Sequence, residues 1–247
     1  MSGRAKVGLA VVVLAACGGS DSAAKAPARP APVESTTEAA GAATAAAAGG
    51  GTSVAAGHTG VPRVLFLGTS LTAGLGLDDP TTEAYPAVIQ RMADSLKVKL
   101  LVVNAGLSGE TSAGAERRVD WLLKQKPDVV VIETGANDGL RGLNPDSTAS
   151  NLRQIIARVR AVNASAGILL LQMEAPTNLG PEYTKTFHAV FGRVAADEHV
   201  VLAPFFLNGV AGIPRLNQAD GIHPTRAGAV IAAHNLWPSL ARVLTRD

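Results

Sequence analysis

The chain has 247 residues, 47% hydrophobic and 17% charged, with a formal net charge of +2, enough for one ordinary domain or two small ones. Four of the 22 basic residues and three of the 20 acidic ones precede residue 60, leaving 18 against 17; with only 4% aromatic residues, both the basic surface and the stacking platforms of a nucleic-acid binder are missing. The one cysteine, Cys17, excludes an internal disulfide and a cysteine-rich metal cluster.

The chain opens with Arg4 and Lys6, and ten apolar residues follow from Val7 to Ala16. A membrane-crossing helix needs about 20. A basic start, a short apolar stretch and small residues at its end describe a secretory signal instead. Leu14-Ala15-Ala16-Cys17 resembles the bacterial lipoprotein cleavage box. That resemblance implies a signal peptide over residues 1–16 and lipid on Cys17. Gly18 behind the lipid site then implies sorting to the outer membrane, so the expected location is the cell envelope, lipid-anchored and facing the periplasm. Residues 21–60 hold 15 Ala, 6 Gly, 5 Thr, 3 Ser and 3 Pro and carry no period of 2 or 3.6. Such a segment buries too little apolar area to offset its chain entropy. Residues 17–62 therefore read as a lipidated cysteine and a disordered tether, in which His58 has no assigned role.

From residue 63 to 247 the pattern is that of a folded domain. Apolar runs at Arg63–Leu67, Leu100–Val103, Asp128–Ile132, Ile168–Leu171 and Val200–Leu202 predict five short strands. Between them, Tyr85–Lys97 repeats Val88, Ile89, Met92 and Leu96 at helical spacing. Ser112–Lys124, Ser147–Val162, Pro181–Ala196 and Thr225–Leu244 are helical as well. Strands alternating with helices predict an α/β fold, three layers α/β/α around a mainly parallel five-stranded sheet. Its expected order is of the flavodoxin type, although periodicity alone does not give order. Ligands of such sheets bind outside the carboxyl ends of the strands, so the polar residues just after each run carry the interest.

Those segments and the entry to the last helix read Gly68-Thr69-Ser70-Leu71, Leu107-Ser108-Gly109-Glu110-Thr111, Gly135-Ala136-Asn137-Asp138 and Asp220-Gly221-Ile222-His223-Pro224. In order and spacing they resemble the four blocks of the SGNH, or GDSL, hydrolase superfamily, over the whole chain beyond the tether. The stretches from Ser108 to Gly114 and from Gly135 to Gly142 resemble most the bacterial thioesterase-I, lysophospholipase and arylesterase type. The resemblance implies a catalytic Ser70, His223 and Asp220. It also implies an oxyanion hole made by the backbone N–H of Ser70, the backbone N–H of Gly109 and the side-chain amide of Asn137.

Elementary chemistry agrees with these roles. A serine hydroxyl barely ionises at neutral pH and needs an adjacent base. Taken alone, Ser70 would more readily be a helix cap, and an isolated Asp-x-x-His would more readily be a cap and a loop histidine. Together, Asp220 can fold back onto one ring nitrogen of His223 while the other faces Ser70. Gly109 lets backbone approach a substrate closely, and Asn137 donates without bringing charge; each is otherwise an ordinary turn residue. Asp138 is expected to hold the turn beside Asn137. One residue departs from the family pattern: Thr69 stands where the name-giving block has aspartate. A hydroxyl accepts hydrogen bonds more weakly than a carboxylate, which puts the supporting bonds of that position in question.

Other signals point nowhere. His188 and His234 lie mid-helix and His199 follows Asp197-Glu198 at a helix end, so each reads as structural or solvated. No metal is indicated, and Gly74-Leu75-Gly76 lacks the third glycine of a dinucleotide loop. Asn163-Ala164-Ser165 is a chance sequon in a chain with a lipoprotein box. The sequence thus predicts a monomeric serine carboxylic-ester hydrolase with no cofactor, acting on a small ester or lipid and tied to the membrane by its lipid anchor. A carbohydrate O-deacetylase on the same residues and a non-catalytic envelope-binding lipoprotein are the competing readings. Loops such as 139–144 and 175–181 would form the pocket walls, and fold alone does not fix the substrate.

Overall fold

The computed structural model describes residues 60–245; the expected signal peptide, Cys17 and the tether as far as residue 59 lie outside the described residues. Each apolar run forms a strand: β1 Arg63–Gly68, β2 Leu101–Gly106, β3 Val129–Glu133, β4 Gly167–Leu171 and β5 Val201–Ala203. All neighbours pair in parallel, in the order β2-β1-β3-β4-β5, which is the flavodoxin-type order. Val64, Leu65, Phe66 and Leu67 are all buried although alternate residues point to opposite faces. Both faces of β1 must therefore be covered.

The cover consists of α3 Tyr85–Ser95 packed on α8 Arg226–Leu244, and of α4 Ser112–Leu123, α6 Pro145–Val162 and α7 Pro181–Asp197 packed side by side. Their apolar stripes supply the core: Val88 and Ile89 from α3, Leu152, Ile155 and Ile156 from α6, Phe187 and Phe191 from α7. The last residue of the helical spacing falls outside the core. Leu96 is exposed because α3 stops at Ser95, and Lys97, at φ 58°, turns the chain toward β2. Edge strand β2 is blunted by Gln90 of α3, which accepts from Val102 N at 2.9 Å and donates to Leu100 O at 3.1 Å. Such side-chain pairing removes a free ladder edge.

Periodicity misses three helices of one turn or so: α1 Ser70–Ala73, α2 Pro80–Glu83 and α5 Ala136–Leu140. Segments this short cannot display a helical stripe. Two of them open directly behind strands β1 and β3. The register aligns Gly68 with Gly106 on one side and with Glu133 on the other. β1, β2 and β3 consequently end at one level, and the segments that follow them converge there.

Candidate active site

The turn between β1 and α1 carries Ser70 as the first helical residue, with its side chain largely buried. Gly68 makes the turn possible: a Cβ at this position would lie 1.9 Å from Thr72 Oγ1 and 2.8 Å from Glu133 Oε2. From the loop before α8, His223 Nε2 reaches Ser70 Oγ at 2.7 Å, and His223 Nδ1 lies 2.6 Å from Asp220 Oδ2. The three-residue spacing closes because Asp220 Oδ1 also accepts from the backbone N–H groups of Ile222 and His223, at 2.9 and 3.0 Å. Gly221 between them sits at φ 71°. The bond from the His223 ring, followed by those two backbone donors, holds the Asp220 carboxyl down at about 2. It is therefore ionised throughout the neutral range, which favours the tautomer with the proton on Nδ1 and the acceptor lone pair toward Ser70. Gln218, which sequence reasoning passed over, anchors this loop. Its N–H donates to His223 O at 2.7 Å, and its side chain to Leu75 O at 2.7 Å and Pro224 O at 3.0 Å.

Gly109 follows β2 at φ 77°, and a Cβ there would meet only Arg141 Nη2, at 3.9 Å. The space before its backbone is open. Asn137, in α5, donates from Nδ2 to Glu110 O at 2.9 Å, and Arg141 Nη2 donates to Gly109 O at 3.0 Å. The segments after β2 and β3 are thus joined to each other. Asp138 does not act as a local turn former, contrary to expectation. It is buried and accepts from Ser112 N at 2.8 Å, from the Ser112 hydroxyl and from Thr148 Oγ1 at 3.2 Å. Its role is to tie α5 to α4 and α6. A second buried link also escaped the sequence. Arg118 grips Glu110 through Nε and Nη2, both at 2.7 Å, and donates to Ala105 O at 2.8 Å. An arginine in mid-helix and a glutamate in a loop give no local sign of such a pairing.

Thr69 reverses the polarity expected of it. Its hydroxyl donates to Glu133 Oε1 at 2.9 Å, and its N–H donates to Glu133 Oε2 at 2.8 Å. Thr72 adds its hydroxyl at 2.7 Å and its N–H at 3.3 Å, and Tyr85 Oη lies 2.7 Å from the Thr72 hydroxyl. Glu133 is fully buried. Burial pushes its carboxyl up, against the pull of the Thr69 and Thr72 donors. The Tyr85 phenol is pushed well up, first by burial and then by the Glu133 charge.

The remaining histidines stand apart. His188 is exposed and pairs with Glu174 at 2.8 Å, His234 is exposed, and His199 takes φ 49° behind α7. Among the described residues no group of three His, Cys, Asp or Glu side chains is arranged to hold a metal ion.

Comparison with known proteins gives this arrangement its context. The family model described as GDSL-like Lipase/Acylhydrolase matches residues 66–231. The chain is 43% identical to the esterase TesA of Pseudomonas aeruginosa over 182 residues, covering 73% of this chain and 89% of the relative. It is 42% identical to thioesterase 1/protease 1/lysophospholipase L1 of Escherichia coli over 185 residues, covering 74% and 86%. The crystal structure of the psychrotrophic esterase EstA from Pseudoalteromonas sp., inhibited by monoethylphosphonate, superposes with a TM-score of 0.70 at 34% identity. That match covers 74% of this chain and 99% of the other.

Proposed function

The chain belongs to the GDSL-like lipase/acylhydrolase family and is a hydrolase of ester bonds, and we propose that Ser70, His223 and Asp220 carry out that hydrolysis through an acyl-enzyme. The observation that carries the reading is the pair of hydrogen bonds by which one histidine ring joins Ser70 Oγ at 2.7 Å and Asp220 Oδ2 at 2.6 Å. His223 Nε2 takes the Ser70 proton as Oγ attacks the ester carbonyl, and Asp220 stabilises the resulting imidazolium. Negative charge moves to the carbonyl oxygen, where the N–H groups of Ser70 and Gly109 and the Asn137 amide act as donors. His223 then protonates the leaving alcohol or thiol. Water, activated by the same ring, releases the acid and restores Ser70. None of these steps calls for a cofactor.

The substrate class we favour is carboxylic esters with an apolar acyl or aryl part, lysophospholipids and acyl-thioesters included. Exposed Leu107, Leu140, Leu143 and Leu179 border the segments that bear Gly109 and Asn137, and apolar surface of that kind suits hydrocarbon. Relatives named thioesterase, lysophospholipase and arylesterase support the same range. The decisive experiment compares wild type with Ser70→Ala on a short aryl ester, with a fluorophosphonate as covalent probe. The variant is expected to fold normally, to lose about 10³-fold or more of kcat, and to take up no probe. Near wild-type turnover by Ser70→Ala would remove the serine mechanism.

We also propose that the protein works at the cell envelope, held by lipid on Cys17. Support comes from the box Leu14-Ala15-Ala16-Cys17 in a chain with no other cysteine. Labelled fatty acid should enter the wild-type protein in bacterial cells and not Cys17→Ser. Recovery of unmodified Cys17 in a soluble periplasmic fraction would rule the anchor out.

A further inference from the structure

We propose that Glu133 is the positioning residue of the nucleophile: its buried carboxylate gathers the N–H and hydroxyl groups of Thr69 and Thr72, and so fixes the turn that presents Ser70. The proposal rests on Ser70 being the nucleophile. It starts from an asymmetry in the first turn of α1. A helix start leaves its first N–H groups without intrahelical partners, and the Thr69 side chain, at the N-cap position, caps none of them. Glu133 takes over from the neighbouring strand, holding the N–H groups of Thr69 at 2.8 Å and Thr72 at 3.3 Å. Ser70 lies between them, and its own N–H has no acceptor among the described residues. The carboxylate therefore takes up the N–H groups of Thr69 and Thr72 and leaves the Ser70 N–H, like that of Leu71, without a protein acceptor and available to a developing oxyanion.

The side chains around it leave no slack. Every group facing the Glu133 oxygens is a donor: two N–H groups and the two threonine hydroxyls. Since the Thr72 hydroxyl gives its proton to Glu133, it accepts from Tyr85 Oη at 2.7 Å, so the chain of donors runs Tyr85, Thr72, Glu133. The same logic explains Thr69. An aspartate at that position would set a second carboxylate against Glu133 in a dry site, and two such groups cannot both stay ionised. A threonine hydroxyl can donate, and it does.

Glu133→Gln keeps the shape but removes the charge that strengthens the bonds from the Thr69 and Thr72 N–H groups, and its amide N–H can be met only if the Thr69 hydroxyl, the one group facing Oε1, turns from donor to acceptor. The effect expected is on geometry at the reacting oxygen, where a misplacement of about 1 Å can cost about 10²-fold. We expect kcat to fall about 10- to 100-fold with KM within about threefold of wild type, and the fluorophosphonate labelling rate to fall by the same factor as kcat. Thr69→Val, which keeps the N–H and loses the hydroxyl, should show the same split about 3- to 10-fold down, and Thr69→Ser should restore wild-type kcat. Rates are taken on the full-length protein, per folded molecule, with folding checked by circular dichroism and melting. Glu133→Gln that is folded and retains kcat within twofold overturns the proposal, as does a loss that only follows the unfolded fraction. Should Glu133→Gln fail to fold, Thr69→Val decides by the same two criteria. Ser70→Ala separates the two readings: an active Ser70→Ala removes the nucleophile itself, whereas an inactive one beside a fully active Glu133→Gln removes only this role for Glu133.

Discussion

The two ends of the sheet solve their turns differently. Among the described residues all nine glycines with positive φ lie in segments that leave the carboxyl ends of the strands, on the way to the next long helix. The three non-glycine residues with positive φ, Lys97, Lys126 and His199, all lie in turns that lead from a helix to the amino end of a strand. At the amino end a helix merely has to stop, and a side chain projecting into water does no harm there. At the carboxyl end a side chain would be an obstacle at some positions: a Cβ would lie 1.9 Å from Gln218 Oε1 at Gly76 and 2.8 Å from the Ala84 Cβ at Gly74, and Gly68 lets Thr72 and Glu133 meet. Buried polar groups divide the same way. Glu110, Ser112, Glu133 and Asp138 all lie within a few residues of the carboxyl ends of β2 and β3 or in the helices that follow them. One end of the molecule is built to hold donors and acceptors in fixed directions, and the other to close a covered sheet.

This contrast can be broken at the carboxyl end by removing one aimed donor. If Asn137 is the oxyanion donor proposed above, Asn137→Ala should lower kcat by about 10²- to 10³-fold while KM changes little, because such an amide acts on charge that exists only in the transition state. Folding should survive, since the Asn137 side chain makes one hydrogen bond among the described residues, to Glu110 O. Steady-state kinetics on an aryl ester decide the matter. A large rise in KM at constant kcat would show a substrate-binding amide instead, and the carboxyl end would then be a recognition surface before an electrostatic one.

How much of this was open to the sequence depends on distance along the chain. The five strands and the long helices were legible because their apolar spacing is local; observed ends differ by one to three residues, as at β2, which runs to Gly106 and not to Val103. Asp220 and His223 could be related by spacing alone, since three residues and a glycine suffice to bring carboxylate to ring. Joining them to Ser70, 153 positions away, took the resemblance of four blocks. What stayed hidden was the supporting set. Glu133 meets Thr69 across 64 residues, and Asp138 meets Ser112 across 26. Neither pairing has a periodicity or a neighbouring partner to announce it, and only the parallel register of β1 with β3 brings Glu133 beside Gly68. Thr69 was misjudged for the same reason: whether a hydroxyl donates or accepts is settled by what faces it.

The smallest effect should come from the opposite end, at Lys97. Two backbone bonds close α3 there, Lys97 N to Asp94 O at 3.1 Å and Val98 N to Ala93 O at 2.8 Å. This is the double closure that favours glycine at the left-handed position. Lysine at φ 58° pays about 1–2 kcal/mol for placing its Cβ too near the following carbonyl. Glycine removes that strain but gives the unfolded chain more freedom, which takes back about 0.4–1 kcal/mol. Lys97→Gly is therefore expected to stabilise the fold by about 0.5–1 kcal/mol, raising Tm by about 1–4 °C for a domain of this size. Lys97 is exposed and forms no ion pair among the described residues, so no lost contact offsets the gain. Turnover should be unchanged, because the residue lies at the far end of the sheet from Ser70. Thermal melting and esterase rates on the same preparation test both halves. A lower Tm would mean that the lysine side chain is needed at that turn, and a changed kcat would mean that the two ends of the sheet are not independent.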